Sequence, residues 1–164
     1  MAMLKLFVYG TLKRGYPNHA RFCQGVRELR QAQVRGCLFQ GPGYPFLEVP
    51  GEDILARGTA WPLADVATQV RLSKKVHAYP GPVAEDSAEG TWGTVYGELL
   101  CFEDPEARLP AIDRLEGFRP EGSSLYRRVL VPAAVNGTCE IAWTYTLATA
   151  CAKGRRLVSG CWPE

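Results

Sequence analysis

The sequence predicts an α/β protein of the α+β type, with a small, mixed and strongly bent β-sheet or barrel and a few helices packed outside it. Its short runs of strand character do not alternate regularly with helices, and only one substantial helix is indicated. The 12 Pro and 17 Gly favour many turns over long helices. A β-rich domain with outer helices follows from these observations.

The length and composition are those of one globular domain. The chain has 164 residues, of which 46% are hydrophobic and 22% charged, enough to build one core. We therefore expect a single domain over residues 1–164. Residues 73–91 are polar, with prolines and acidic residues, and predict an exposed insertion, while a C-terminal tail begins at about residue 148.

Several classes of partner are not expected. The net charge of +2 is spread along the chain, without the basic face that nucleic-acid binding requires. The N-terminal apolar run is cut off at Gly10 and is too short for a signal or a membrane span, so we expect a cytoplasmic protein. The six cysteines form no C-x-x-C pair, which favours thiols over disulfides and gives no zinc spacing. Neither a metal nor a cofactor is expected.

The first element is a strand followed by a glycine loop and a short helix. Leu4, Leu6 and Val8 alternate with less apolar positions, which is the period of a strand. The segment from Gly10 to Gly15 breaks this pattern, and Asn18 is suited to cap a short helical segment that runs through Cys23 and ends near Gly25.

The central part predicts more strands and two helical segments. Strand character is present at 33–39, 45–49, 54–61 and 94–102, and a weak helical pattern at 62–72. Asp104-Pro105-Glu106 supplies a cap, a proline at the first helical position and an acidic first turn. Pro110 predicts that the helical segment splits into two short turns, the second ending at Gly117.

The last pair of strands is a predicted hairpin. Residues 126–135 and 138–147 are both β-rich, and Asn136-Gly137 lies between them. Asn-Gly is the strongest short signal for a two-residue hairpin turn, because both positions accept a positive φ.

Glu116 is the candidate acid–base residue. The spacings to Leu109 and Ile112 place it on the same helical stripe as two aliphatic side chains. Burial and the negative end of the helix dipole would both raise its pKa toward neutrality. The alternative is that the frayed helix end turns Glu116 into solvent or pairs it with Arg119 or Arg127.

Two other acids are interpreted as structural. Asp113 lies one position off the apolar stripe and is expected to be solvated or to serve in capping, and Glu98 is expected to alternate outward from its strand. Neither competes with Glu116 as the acid–base group.

The second candidate is the loop from Gly10 to Gly15. Between a strand and a helix, its successive N–H groups can face one way and hold an anion such as a carboxylate. The Tyr16-Pro17 pair follows where a nucleotide-binding P-loop requires Lys and Ser or Thr, which disfavours ATP binding. The alternative is a plain turn that needs glycine for its dihedral angles.

Four short motifs follow one another along the chain: Tyr9-Gly-Thr-Leu12, Tyr96-Gly-Glu-Leu99, Ile112-Asp-Arg-Leu-Glu-Gly117 and Leu125-Tyr-Arg-Arg128. In this order they resemble the motifs of the γ-glutamylcyclotransferase-like superfamily, which includes avirulence-induced-gene-like and γ-glutamylamine cyclotransferase-like proteins. The resemblance covers roughly residues 4–147. Val158-Ser-Gly-Cys-Trp162 is similar to the Ser-Gly-Asp-Trp ending of many bacterial members, with Cys161 in place of Asp.

The resemblance implies roles for particular residues. The family has a mixed α/β barrel whose loop binds the glutamyl end of the substrate, which assigns this role to Tyr9, Gly10, Thr11 and Leu12. A single Glu performs the proton transfers, which assigns catalysis to Glu116. Tyr126 is similar to a family tyrosine that lines the pocket, although here a longer link precedes it.

The implied reaction is a cyclisation of a small γ-glutamyl amine or γ-glutamyl-tagged metabolite. The free α-amine attacks the side-chain amide carbonyl, which gives 5-oxoproline and a released amine without metal or cofactor. Two alternatives remain at this stage: a non-catalytic module that binds an acidic small ligand, and an amide-directed hydrolysis or transfer in the same pocket.

Overall fold

The structure, a computed structural model, describes residues 2–76, 92–147 and 154–164. Within these ranges the helices are α1 (Pro17–Phe22), α2 (Pro62–Ser73) and α3 (Pro105–Glu116), with a 3-10 turn at Gly51–Asp53. The strands are β1 (Leu4–Val8), β2 (Glu28–Gln40), β3 (Pro45–Glu48), β4 (Ala56–Arg57), β5 (Gly93–Phe102), β6 (Tyr126–Val135), β7 (Thr138–Leu147) and β8 (Arg155–Arg156).

Five strands close into a small barrel. Their order is β2-β5-β1-β7-β6, and a bridge between Gln33 and Ala134 joins β6 back to β2. The β1–β7 pair is parallel and the other neighbours are antiparallel, so the sheet is mixed. Strands β3, β4 and β8 extend it at its margins. This architecture confirms the predicted fold class of a bent mixed sheet or barrel with outer helices.

The barrel is buried on both faces. Phe7, Val34 and Val131 belong to a cluster built from strands and adjoining segments, which fills the barrel. On the other face, a second cluster packs β1, β6 and β7 against Leu109 and Ile112 of α3. Because both faces are covered, β1 has no solvent-exposed side, and even Lys5 in its burial pattern is only partly exposed.

The predicted hairpin is confirmed. Strands β6 and β7 pair along their whole length from Tyr126–Leu147 to Val135–Thr138. Asn136 and Gly137 adopt φ values of 50° and 79°, as a two-residue turn with two left-handed positions requires.

Two strand boundaries differ from the predictions. β2 begins at Glu28, five residues before the predicted start at 33, because its polar first half pairs with β5 from Glu28–Cys101 onward. The predicted strand at 54–61 is reduced to Ala56–Arg57. This strand lies at the sheet margin, where only one neighbour supplies hydrogen bonds.

The prediction that Pro110 divides the third helix is wrong. α3 continues from Pro105 to Glu116 with Pro110 inside it. Leu109 and Ile112, on either side of the proline, are both fully buried in the same cluster. We attribute the continuity to this packing, which holds both halves of the helix against the sheet at a cost of about 3 kcal/mol for the proline.

The predicted cap of α1 is wrong, whereas that of α3 is confirmed in its position but not as a side-chain hydrogen bond. α1 has Tyr16 at its N-cap and Pro17 at its first position, so Asn18 lies inside the helix. α3 does have Asp104 at its N-cap, but without a side-chain cap hydrogen bond. The Asp104 carboxylate pairs instead with Arg108 of the next turn. A cationic partner competes successfully with the backbone N–H groups for this carboxylate.

The predicted insertion and tail are described only in part. Ser73 is the last residue of α2, and 77–91 lie outside the described residues, as do 148–153 of the tail. In the remaining tail, β8 pairs with β2, and the Gly160 carbonyl accepts a hydrogen bond from the Tyr96 N–H. Trp162 packs against Tyr16, so the end of the chain contacts the glycine loop region.

Candidate active site

A cavity of about 470 Å³ opens where β1 ends, beside the last turn of α3. Its volume lies within the range of small-molecule sites. The structure places all six residues proposed from the sequence on its wall: Tyr9, Gly10, Thr11, Leu12, Glu116 and Tyr126. It is also lined by Phe7, Val8, Asn18, Gly43, Tyr44, Pro45, Leu115, Gly117, Leu125 and Tyr145. We call it the substrate cavity.

The glycine loop presents backbone donors beside this cavity. The Lys13 N–H donates to the Gly10 carbonyl at 3.0 Å, which closes a tight turn. Among the described residues, the N–H groups of Gly10, Thr11 and Leu12 have no protein acceptor. Three consecutive donors without a protein acceptor are suited to a carboxylate or an oxyanion.

Side chains and backbone groups fix the loop from both sides. Asn18 donates to Thr11 Oγ1 at 3.0 Å, and His19 Nδ1 lies 2.8 Å from the Leu12 carbonyl. The Arg14 N–H donates to Glu98 Oε1 at 2.7 Å. Glu98 is therefore buried and holds the loop, whereas the sequence analysis expected it to point outward. Asn18 serves the same purpose instead of capping α1.

Gly10 permits close packing of the loop on the opposite wall. A Cβ at this position would lie 2.8 Å from both Cγ and Cδ of Pro45, which lines the substrate cavity. Contacts this short force a neighbour to move. The glycine is therefore required by the approach of Pro45.

Glu116 is the last residue of α3 and lies on the wall of the cavity. Burial raises the pKa of its carboxyl group to about 7, and the charge of Asp113 contributes to the increase. The increase in the pKa agrees with the sequence-based expectation. Its second cause is the neighbouring acid Asp113, whereas the sequence-based expectation named the helix dipole. Within the described ranges, neither Arg119 nor Arg127 pairs with Glu116.

Asp113 is buried, and the prediction that it is solvated or caps a helix is wrong. It is 8% exposed and accepts hydrogen bonds from Arg128 Nε at 2.9 Å and from the Tyr145 hydroxyl at 2.6 Å. Although Asp113 lies one position off the apolar stripe of α3, its side chain still faces the sheet. Arg128 of β6 and Tyr145 of β7 supply its polar partners there. Asp113 is therefore a fixed negative charge behind Glu116.

Arg128 joins α2 and α3 to the sheet. Its side chain is fully buried, and its guanidinium donates to Asp65 Oδ2 at 2.8 Å and to the Thr59 carbonyl at 3.0 Å, in addition to Asp113. The guanidinium also lies between the rings of Phe118 and Trp143, at 5.4 and 5.2 Å from their centroids. These contacts hold the carboxyl-terminal half of α3, and thus Glu116, in place.

Tyrosine hydroxyls form hydrogen bonds around the cavity. The Tyr9 hydroxyl donates to the Tyr145 carbonyl at 2.6 Å, and the Tyr126 hydroxyl to the Pro45 carbonyl at 3.3 Å. Burial raises the pKa of Tyr9 well above its ordinary value, with further contributions from Tyr126 and Glu116. Burial and Asp113 raise the pKa of Tyr145 in the same direction. The hydroxyls of Tyr9 and Tyr145 therefore remain protonated at neutral pH.

The mouth of the cavity is apolar. Tyr44 is 37% exposed and Leu125 45% exposed, on a wall that continues inward through Tyr126. Phe46 joins this wall, since its ring packs edge-on against Tyr44 and lies 6.0 Å from that of Tyr126. Among the described residues that line the cavity, Glu116 is the only one with a side chain charged in its usual form.

Several of these residues were missed by the sequence analysis. Tyr145 and Tyr44 were not singled out, because a tyrosine in a strand or beside a proline is common in any β-rich domain. Arg128 was quoted only as part of a motif. The available signal was its position two residues after Tyr126, which places both side chains on the same face of a strand.

Within residues 2–76, 92–147 and 154–164, no cluster of three or more His, Cys, Asp or Glu side chains is arranged to hold a metal ion. No described helix is long and apolar enough to cross a membrane.

The chain matches the model of a known protein family. The model of the family described as gamma-glutamyl cyclotransferase, AIG2-like, matches residues 6–74 and 64–164. The chain therefore belongs to this family. A search of curated proteins finds no match.

Solved structures share the fold. YkqA from Bacillus subtilis is 21% identical with a TM-score of 0.55, covering 98% of this chain, which spans only 39% of the YkqA chain. An uncharacterized protein, PH0828 from Pyrococcus horikoshii, is 17% identical with a TM-score of 0.52, covering 97% of this chain and 89% of that one. An AIG2-like protein from Mus musculus is 20% identical with a TM-score of 0.47, covering 92% and 81%.

Proposed function

We propose that this family member is a cyclotransferase that converts a small γ-glutamyl amine into 5-oxoproline and a free amine, with Glu116 as general acid and base. The observation that carries the proposal is the position of Glu116. Its carboxyl group, with a pKa of about 7, lies on the same cavity wall as Gly10, Thr11 and Leu12, whose N–H groups have no acceptor among the described residues. An acid–base residue and an anion site are the two parts that this reaction requires.

The proton transfers follow from the pKa of Glu116. As a carboxylate, Glu116 takes a proton from the α-ammonium group, and the resulting amine attacks the γ-amide carbonyl. The ring C–N bond forms, the original amide C–N bond breaks, and two protons in total move from the α-nitrogen to the leaving nitrogen. A group with a pKa near 7 can accept and return a proton at neutral pH, which typically contributes about 10² to 10⁴ in rate.

The loop supplies the anion site of the proposed reaction. The N–H groups of Gly10, Thr11 and Leu12 would hold either the α-carboxylate of the substrate or the oxyanion that develops on the γ-carbonyl. Asn18 and Glu98 fix the loop before substrate arrives. Such pre-organisation favours ring closure, because the reacting groups need not be ordered during the reaction.

The tyrosines assist by position and by polarity. Tyr9 and Tyr126 line the cavity beside Glu116, and Tyr9, whose pKa is raised by burial, adds no negative charge that would repel the substrate carboxylate. We propose that they contact the glutamyl part of the substrate and limit the entry of water. Exclusion of water favours attack by the internal amine over hydrolysis.

The mouth of the cavity supports an uncharged, apolar leaving amine. Tyr44 and Leu125 are partly exposed there, and no described cationic side chain lines the cavity. A leaving group with its own carboxylate would lose water without gaining a charged partner. We therefore propose γ-glutamyl derivatives of alkyl or aromatic amines as the preferred substrates.

The decisive experiment measures 5-oxoproline released from a panel of γ-glutamyl amines and dipeptides. Wild type is compared with Glu116→Gln at equal folded concentration, and Glu106→Gln serves as control because Glu106 is an exposed acid on the same helix. We expect turnover by wild type and the control, and a loss of at least about a hundredfold in Glu116→Gln.

Other outcomes identify the alternatives. Glutamate as product indicates hydrolysis, and a new amide indicates transfer to an external amine. Thermal stabilisation by a ligand without turnover, unchanged in Glu116→Gln, indicates a binding module. Each of these results would reject the proposed cyclisation.

A further inference from the structure

A second cavity, of about 330 Å³, lies beside β4 and the start of β6. Four arginines line it, the exposed Arg57, Arg119 and Arg127 and the buried Arg128, and we call it the arginine cleft. The remaining wall consists of Gly58, Phe118, Pro120, Gly122, Ser123 and Ser124. It shares no lining residue with the substrate cavity.

The three exposed arginines come from different parts of the chain. Arg57 lies directly opposite Val129 in the β4–β6 pair, and Arg127 is two residues before Val129 on the same strand. Residues two apart on a strand share a face, so Arg57 and Arg127 are diagonal neighbours on one side of the sheet. Arg119 approaches from the link between α3 and β6. All three are exposed.

The positive charge of the cleft is not balanced locally. Arg35, Arg108 and other arginines pair with carboxylates. By contrast, among the described residues Arg57, Arg119 and Arg127 have no ion pair, and no Asp or Glu lines the cleft.

The buried Arg128 beneath the cleft reduces this excess but does not remove it. Arg128 is bonded to Asp65 and Asp113, so this group carries one net negative charge, against three positive charges on the exposed cleft arginines. The remaining excess is two positive charges, counted without the exposed Glu121 of the link, which does not line the cleft. Such a concentration of like charge attracts anions.

The link adds hydrogen-bond donors for an anion. Ser124 Oγ donates to the Tyr126 carbonyl, whereas the hydroxyl of Ser123 has no partner within the described ranges. The same holds for the N–H groups of Ser123 and Ser124. Guanidinium forks together with hydroxyl and amide donors are a typical environment of a bound oxyanion.

We propose that the arginine cleft is a binding site for a phosphate-type oxyanion, separate from the substrate cavity. A group with three or more terminal oxygens can accept hydrogen bonds from all three exposed guanidinium groups at once, which a carboxylate with two oxygens does less well. The same chemistry is presented by inorganic phosphate, by a soluble phosphomonoester and by the phosphomonoester headgroup of phosphatidic acid. The site does not depend on the reaction proposed for the substrate cavity.

The test is a titration of the full chain with inorganic phosphate, followed by calorimetry and by the thermal midpoint, at constant ionic strength maintained with chloride. Arg119→Gln/Arg127→Gln removes two donors of the cleft. Arg71→Gln/Lys74→Gln on α2 is the matched control, since it removes the same charge from exposed positions elsewhere. We expect saturable binding in wild type and in the control, weakened at least about tenfold in the cleft variant.

Two further arms identify the source of the anion. A soluble phosphomonoester is titrated in the same way, and sedimentation with vesicles of phosphatidylcholine containing 20% phosphatidic acid (roughly one negative headgroup in five) measures binding to a lipid surface. Tighter binding of the phosphomonoester than of phosphate assigns a soluble ligand, whereas cleft-dependent vesicle binding assigns a headgroup. Phosphate binding that is absent, or equal in the cleft variant and the control, would overturn the proposal.

Discussion

On α3, burial raises the pKa of Glu116 to about 7, and the carboxylate of Asp113, three residues earlier, contributes to that increase. Asp113 is itself fixed by Arg128 and Tyr145, so its position does not depend on the substrate. A structural ion pair therefore lies directly behind the proposed acid–base residue. The predictions below test this arrangement and the walls of the cavity around it.

The pH dependence of turnover should follow the ionisation of Glu116. Because the carboxylate form accepts the first proton, kcat/KM is expected to decrease below about pH 7, approaching tenfold for each pH unit. Initial rates between pH 5 and 8, about one unit or more to either side of the pKa, measure this. Circular dichroism at each pH checks that the protein remains folded. A constant rate over this interval would contradict the role of Glu116 as base.

Replacing Asp113 should shift the pH at which kcat/KM decreases on the acid side, which we call the acid limb. Asp113→Asn removes the nearby negative charge, so the pKa of Glu116 is expected to fall and the limb to shift by about one pH unit toward acid. Tyr145→Phe is the control, because it removes a hydrogen bond to Asp113 but leaves the charge. An unshifted limb in folded Asp113→Asn would show that the charge of Asp113 has no influence on Glu116.

The same substitution should lower stability. Asp113→Asn leaves the buried Arg128 with Asp65 as its remaining carboxylate partner. Loss of one member of a buried ion pair typically costs about 3 kcal/mol, which urea unfolding at pH 7 (near neutrality, where carboxylates are normally ionised) can measure. A change below about 0.5 kcal/mol would mean that Asp113 does not stabilise the fold through Arg128.

Glu116 itself should reduce stability above neutral pH. Its pKa is raised from 4.5 to about 7 on folding, so between these values the native protein retains a proton that the unfolded chain loses. The stability of wild type is therefore expected to fall relative to Glu116→Gln as pH rises through this window. At pH 8, about one unit above the folded pKa, we expect Glu116→Gln to be more stable by about 2 kcal/mol.

Urea unfolding at the two ends of this window measures the effect. The difference between Glu116→Gln and wild type should be small at pH 4.5 and largest above pH 7. Glu106→Gln is the control and should show no such trend, because Glu106 is exposed. An advantage of Glu116→Gln that does not change with pH would reject the linkage.

Gly10→Ala should impair turnover by displacing the loop. The added Cβ would lie 2.8 Å from two carbons of Pro45, so the loop or the opposite wall must move. A displacement of this kind is expected to lower kcat/KM by about tenfold to a hundredfold. Gly51→Ala is the matched control, since a Cβ there meets no atom within 4 Å. Equal activity of the two variants would show that the approach of Gly10 to Pro45 is not required.

Leu125→Lys should change the preference among leaving amines. Leu125 is 45% exposed at the apolar mouth, and a lysine there supplies the cation that the described lining lacks. The ratio of kcat/KM for a γ-glutamyl amino acid to that for a γ-glutamyl alkylamine is expected to rise about tenfold. Leu125→Gln separates the effect of charge from that of lost apolar surface. An unchanged ratio would place the leaving amine elsewhere.

The sequence was most informative where local geometry decides structure. The Asn136-Gly137 turn and the alternation of β1 were read correctly because two positive φ values and a two-residue period are local properties. The predicted break at Pro110 was wrong because it also rested on a local preference. Packing of Leu109 and Ile112 against the sheet outweighed that preference.

By itself, the sequence determined the fold class, the glycine loop, the hairpin and the candidates Tyr9 to Leu12, Glu116 and Tyr126, because motif order and helical or strand period report on neighbouring residues. Only the tertiary structure decided that these candidates line one cavity, and that Asp113 is buried against Arg128 and Tyr145. The same holds for the meeting of Arg57, Arg119 and Arg127. These contacts join residues distant along the chain, and burial, pKa and the balance of charge depend on them.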